Sequence, residues 1–183
     1  RDLHLCARRQ RQMCIRDRRY SWTAQVEKLT QIKMLNYGVC GDCCDDIIYR
    51  MRQYALPEYV HHIIFLGGAN DILQGRRLED ISRDYKRVLE WCEEKHYSLC
   101  VVLPFISTEQ ALNRQLLNLR QEAEHICGGK AFLLDLQPAI GLDAGARFKA
   151  YVDGIHPKSQ TYEAMGNYAA PLIWQWLKEE KEA

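Results

Sequence analysis

Four short apolar runs, at 33–38, 60–66, 98–104 and 131–136, set the tightest limit on how this 183-residue chain can fold. They are too short for helices. His62-Ile63-Ile64-Phe65-Leu66 and Leu99-Cys100-Val101-Val102-Leu103 place apolar side chains on both alternating faces, as strands covered on two sides must. Between the runs, apolar residues recur at helical spacing over 22–30, 43–55, 78–95, 108–126 and 160–178. Strands alternating with helices predict an α/β sandwich with a mostly parallel sheet and right-handed crossovers.

Local punctuation sharpens some boundaries. Ser107-Thr108-Glu109-Gln110 fits a capping box, and Gly128-Gly129 after Cys127 fits a helix stop. Pro171 lies inside the last helical stretch and is expected to kink or split it. With 47% apolar residues and neither repeats nor linker-like tracts, one domain with a real core is expected.

The formal net charge is only +1, which gives no reason to expect a polyanionic partner. Its distribution is uneven: residues 1–19 hold Arg1, Arg8, Arg9, Arg11, Arg16, Arg18 and Arg19 against Asp2 and Asp17. Such a head suits a nucleic-acid or acidic-membrane arm, yet nothing in it repeats, so no nucleic-acid partner is expected. Eight cysteines without framework spacing read as reduced thiols and place the chain in the cytoplasm. Cys40-x-x-Cys43 with Cys44 has no second ligand pair, so no metal is expected, and Cys92, Cys100 and Cys127 read as small core residues. No run is long enough for a membrane span. Trp174 and Trp176 lie two apart and cannot share one helical face, so one is expected to pack while the other stays partly exposed.

Three loops carry residues suited to chemistry. In Asp153-Gly154-Ile155-His156-Pro157, a carboxylate three residues before a histidine can accept from Nδ1–H and aim Nε2 outward as a general base. Gly67-Gly68-Ala69-Asn70-Asp71 follows a buried strand, where Asn70 can donate an amide proton to a developing oxyanion. Asn36-Tyr37-Gly38-Val39-Cys40-Gly41-Asp42 stands at another strand-to-helix junction, where the Gly41 N–H is unscreened by a side chain. Taken singly, each also fits an ordinary loop, a Gly-Asn turn or a helix start capped by Asp42.

In this order, the three loops resemble the SGNH (GDSL-type esterase/lipase) hydrolase family, whose blocks are Gly-Asp-Ser, a Gly, Gly-x-Asn-Asp and Asp-x-x-His. Gly41, Gly68-Ala69-Asn70-Asp71 and Asp153-Gly154-Ile155-His156 match the last three blocks, and the resemblance covers residues 22–178. It implies a three-layer flavodoxin-like α/β sandwich. It also implies ester hydrolysis through an acyl-enzyme, with His156 as base, Asp153 as its orienting partner, and Gly41 and Asn70 as oxyanion donors. A small-molecule ester would be the substrate, no cofactor is needed, and a monomer or weak dimer is expected.

The family's first block does not match. Its place falls near residues 7–11, which read Ala7-Arg8-Arg9-Gln10-Arg11, so the nucleophile is unassigned. Ser21 reads as the N-cap of a helix, and Cys43 in Gly41-Asp42-Cys43 has a thiol whose pKa a helix N-terminus would lower. Upstream, only Leu3-His4-Leu5-Cys6 alternates in a way that could replace the family's first, internal strand. Residues 1–19 are therefore expected not to be native family sequence, with the hydrolase domain running over 20–183. The alternative is a binding module that keeps the fold and pocket without catalysis, or a truncated enzyme lacking its nucleophile.

Overall fold

The computed structural model describes residues 2–3 and 21–182. In chain order these form β1 (Asp2–Leu3), α1 (Trp22–Thr30), β2 (Lys33–Met34), α2 (Cys44–Gln53), β3 (Val60–Phe65), α3 (Ala69–Leu73) and α4 (Leu78–Glu94). There follow β4 (Ser98–Val102), α5 (Gln110–Cys127), β5 (Phe132–Leu134), α6 (Gln137–Ile140), α7 (Ala144–Ala150) and α8 (Ser159–Glu182). The strands make one sheet in the order β2-β1-β3-β4-β5, and every pairing is parallel. Such an order is doubly wound and puts helices on both faces.

Strand periodicity splits the interior into two cores. Ile63, Phe65, Leu99 and Val101 point to the side packed with residues of α2, α4 and α5. Ile64, Cys100 and Val102, one residue out of phase, point to the side built by α1 and α8. Both-face burial is why these strands read as continuous apolar runs. Asp2–Leu3 occupies the internal place between β2 and β3, so the start of the alternation at Leu3 supplies the first strand. The rest of that segment and the arginines of the head lie outside the described residues.

Several local expectations are corrected. Helix α8 runs through Pro171 without a break. Proline removes one ladder hydrogen bond at an exposed position, while Met165, Ala169, Ile173 and Trp176 stay buried on both sides of it. The capping box at Ser107 does not form: α5 begins at Gln110 with Glu109 at the N-cap. Ser107 Oγ instead accepts the Glu109 N–H at 2.9 Å and bonds to Asn113 Oδ1, closing a turn ahead of the helix. Gly128 does cap the far end of α5. Cys43, Cys44, Cys92, Cys100 and Cys127 are buried and in no disulfide, as reduced core thiols would be, but Cys40 is disulfide-bonded, which the reduced-thiol reading did not anticipate.

The tryptophans of α8 divide as expected. Trp176 is buried and stacks on Phe132 at 5.5 Å, while Trp174 is 41% exposed. Among the described residues, no helix is long and apolar enough to cross a membrane.

Candidate active site

The loops after β2, β3 and β4 meet the segment before α8 at one end of the sheet, the carboxyl ends of the strands. There a cavity of about 90 Å³ is lined by Asp42, Gly67, Gly68, Asn70, Phe105, Leu116, Ile155, His156 and Tyr162, among others. Ligands in open α/β sheets bind at such strand ends.

Residues 151–157 form a tight loop closed by a bridge between Tyr151 and Pro157, with the Val152 N–H donating to the His156 carbonyl at 2.8 Å. Asp153 turns back inside this loop. Its Oδ1 accepts the His156 N–H at 2.8 Å and its Oδ2 lies 2.5 Å from His156 Nδ1. Burial raises the Asp153 pKa, but the hydrogen bonds from the His156 ring, the His156 N–H and the Ile155 N–H outweigh it and hold the carboxyl below 3.8. Asp153 is therefore an anion at neutral pH, suited to keep the proton on Nδ1. The opposite nitrogen, Nε2, is buried without a hydrogen-bond partner on the residue that lines the cavity.

A second loop fastens the first. The Thr108 N–H donates to the Gly154 carbonyl at 2.8 Å, Tyr151 Oη donates to the Ile106 carbonyl at 2.7 Å, and Arg147 Nε donates to the Ser107 carbonyl at 3.1 Å. Gly154 is required twice over: its φ is +85°, and a Cβ there would come within 2.3 Å of Thr108 Oγ1.

Asn70, which lines the same cavity, sits in the first turn of α3, is 9% exposed, and donates from Nδ2 to the Asp42 carbonyl at 2.7 Å. An amide carries two donor protons, so this bond orients the group without exhausting it. Gly68, at φ +97°, starts α3 and packs so closely on α5 that a Cβ would lie 2.5 Å from Leu119 Cδ2. Gly41 stands in the neighbouring turn at φ +85°, its carbonyl accepting from Gln74 Nε2 at 3.1 Å. It is Asp42, one residue on, that lines the cavity. Asp42 pairs with Arg50, whose Nη1 also donates to the Tyr37 carbonyl at 2.7 Å, and this anchors the turn on α2. Burial nonetheless raises the Asp42 pKa above 3.8.

Under the site lies an ion cluster that sequence patterns did not reveal. Asp71 is fully buried; its two oxygens accept the Cys44 N–H at 3.1 Å each, and it pairs with Arg76. Arg76 reaches Asp84 at 2.8 Å and Asp45 at 2.9 Å as well. The cluster ties the start of α2 to α3 and α4, and so the Gly41 turn to the Asn70 loop. The Asn70-Asp71 pair was legible; the pairing of Asp71 with Arg76, and of Arg76 with Asp84, was not.

Both nucleophile candidates sit in structural roles. Ser21 caps α1, accepting the Ala24 N–H at 3.1 Å. Cys43 caps α2, but its pKa is not lowered: burial, together with the charge of Asp71, pushes the thiol up to about 11. Desolvation outweighs the helix N-terminus here. The expected nucleophile position at 7–11 lies outside the described residues.

Comparison with known proteins decides the family. The sequence profile of the GDSL-like lipase/acylhydrolase family matches residues 12–164. The chain belongs to this family. Its fold is shared with a G-D-S-L family protein from Desulfitobacterium hafniense DCB-2, at TM-score 0.80 and 20% identity over 92% of this chain and 98% of that one. A psychrotrophic esterase from Pseudoalteromonas sp. superposes at TM-score 0.73 and 14% identity, covering 96% of this chain and 98% of the other. An acetylxylan esterase from Geobacillus stearothermophilus gives TM-score 0.74 and 15% identity over 91% and 90% of the two chains. No curated protein matches the chain in sequence. Membership of the GDSL-like family makes a hydrolase the supported class of activity.

Proposed function

We propose that this GDSL-like protein hydrolyses carboxylic esters, with His156 as general base and acid and Asp153 as the group that orients it. The observation that carries the reading is the pair itself: an ionised Asp153 on Nδ1, and a buried, unpartnered Nε2 on the residue that lines an apolar cavity. In the proposed reaction a hydroxyl of the chain's own nucleophile, which none of the described candidates supplies, adds to the acyl carbonyl while Nε2 takes its proton. The carbonyl oxygen becomes an oxyanion held by the Asn70 amide and the Gly41 N–H, and Asp153 stabilises the imidazolium. As the C–O bond to the alcohol breaks, the imidazolium returns its proton to the leaving oxygen. The resulting acyl-enzyme is cleaved by water through the same base, which releases the acid. No step calls for a metal or cofactor.

In support of the reading, His156 and Asn70 both line this one cavity. Asn70→Ala is expected to lower kcat by about 10²–10³-fold with little change in KM, because the amide would act on charge that exists only in the transition state. Equal activity of this variant and the parent would remove Asn70 from the site.

A second reading is a binding module that has kept the pocket. It is favoured by the engagement of Ser21 and Ser107 in local hydrogen bonds. A folded chain that binds carboxylates at His156 but turns over no ester would select it.

A further inference from the structure

We propose that the segment from Leu142 to Lys158 docks the protein on anionic lipid bilayers. Leu142, Phe148 and Val152 enter the headgroup layer, and Arg147, Lys149 and Lys158 face its charge. The inference goes beyond ester hydrolysis and is read by binding alone, so it stands or falls apart from that reading.

Helix α7 is built inside out. A surface helix ordinarily turns its largest apolar side chains to the core. Here the small residues pack: Ala150 is buried, and Ala146 sits against Gly141, where an added Cβ would lie 2.6 Å from its own. Phe148, between these two alanines, is 76% exposed. Leu142, on the turn before the helix, is 73% exposed, and Val152, just after it, is 67% exposed. Single exposed apolar residues are ordinary, but three such side chains within one short segment mark an interaction site. Arg147 Nη1 donates to the Leu142 carbonyl at 2.5 Å and so holds that turn on α7. The Val152 N–H donates to the His156 carbonyl, which puts Val152 on the loop whose Ile155 and His156 line the cavity.

The charge of the segment names the partner. Arg147 and Lys149 flank Phe148, and Lys158 joins them, its Nζ donating to the Lys149 carbonyl at 2.7 Å. Among the described residues none of the three pairs with a carboxylate, since Arg147 donates to the carbonyls of Ser107 and Leu142. Nearby carboxylates are engaged elsewhere. Asp143 Oδ1 accepts the Ala146 N–H at 2.8 Å, Asp153 holds His156, and Glu109 is turned toward Gly154, whose Cβ would stand 3.6 Å from its Oε1. Apolar side chains interleaved with cations that no carboxylate neutralises suit negative headgroups over hydrocarbon. A second copy of the chain suits them less. Across a two-fold axis the same residues meet, and Arg147, Lys149 and Lys158 would face their own counterparts. A specific protein interface also covers about 800 Å² on each partner, well beyond three side chains, whereas a bilayer demands no such complementarity.

The test is cosedimentation of the full chain with vesicles of phosphatidylcholine, and of equal parts phosphatidylcholine and phosphatidylglycerol. The proposal predicts at least about tenfold tighter binding to the mixed vesicles, weakened by salt. Phe148→Ser should weaken that binding at least about fivefold, because no ring enters the hydrocarbon. Lys149→Gln should weaken it about fivefold and leave phosphatidylcholine vesicles unaffected. Both positions are exposed, and circular dichroism checks that the variants fold. Mixed vesicles left unbound by the parent chain, or bound no better than phosphatidylcholine alone, would overturn the proposal. Equal binding by the parent and a folded Phe148→Ser would overturn it too, and would assign the attraction to the arginines of residues 1–19. A Phe148-dependent dimer in sedimentation velocity, without vesicle binding, would overturn it in favour of a second copy. Phe148-dependent binding of mixed vesicles by a chain that turns over no ester would uphold it and refute only the hydrolase reading.

Discussion

His156 Nδ1 lies 2.5 Å from Asp153 Oδ2, and Asp153 Oδ1 accepts the backbone N–H of the same histidine at 2.8 Å. One carboxylate thus fixes both the ring and the backbone that carries it, and this couples the orientation of the imidazole to loop structure. Asp153→Asn is expected to lower kcat by about 10²–10⁴-fold with KM nearly unchanged, because the amide can present its N–H to Nδ1 and favour the wrong tautomer. Steady-state kinetics on any hydrolysed ester checks it, and retention of full activity would remove the orienting role. Since its hydrogen bonds hold the Asp153 carboxyl below the usual carboxylate range, this group should stay ionised across neutral and mildly acidic pH.

Gly154 holds the same loop from the other side. In Gly154→Ala, the positive φ and the contact with Thr108 Oγ1 both oppose the new methyl group. A loss of about 1–2 kcal/mol in stability is expected from the backbone alone. A fall in kcat larger than the loss of folded protein explains should accompany it, since the Thr108 bond to the Gly154 carbonyl must loosen. Denaturant melts alongside kinetics on the folded fraction separate the two effects.

Much of the fold was legible because the strands that build it are buried on two faces. Ile63-Ile64-Phe65 and Cys100-Val101-Val102 could only be central strands, and the helices between them carry regular apolar stripes. The short helices α3, α6 and α7 were missed, since five, four and seven residues are too few to show a period. Pro171 misled because its propensity cost is local, whereas the packing of α8 on α1 and the sheet is spread along the helix. In the site, His156, Asp153 and Asn70 were legible as short motifs. Arg76 and the Thr108–Gly154 contact were not: no motif marks Arg76 as the shared cation of Asp71, Asp84 and Asp45, and Thr108 and Gly154 lie far apart in the chain. Cys43 shows the limit of reasoning from a helix end: position argues for a reactive thiol, and burial beside Asp71 overrides it.

Removing Arg76 should be among the most damaging single changes outside the cavity. Arg76→Met leaves Asp71 and Asp84, both almost fully buried, facing each other without the cation between them. A loss of about 3–5 kcal/mol is expected, since breaking a buried ion cluster leaves uncompensated charge. Urea unfolding monitored by far-UV circular dichroism measures it, and a loss under about 1 kcal/mol would contradict the cluster's role.

The buried thiols predict how stability depends on pH at the alkaline end. Burial pushes Cys43 and Cys127 up to about 11 and Cys92 up to about 12, against 9.0 for an unperturbed thiol. Between about pH 9 and those values the unfolded chain has released protons that the folded chain still holds. Stability therefore falls as pH rises through this window. Tm should be flat below about pH 8.5 and drop progressively above 9. At pH 8 these cysteines should resist iodoacetamide in the folded chain and react in urea, which peptide mapping by mass spectrometry resolves.

The most direct test of the central claim is the hydrolysis of p-nitrophenyl butyrate by the purified chain beside His156→Ala, with both proteins shown to be folded by circular dichroism. The account predicts turnover by the parent and a loss of at least about 10²-fold in the variant. Equal rates in the two proteins, or no turnover by a folded parent, would contradict it.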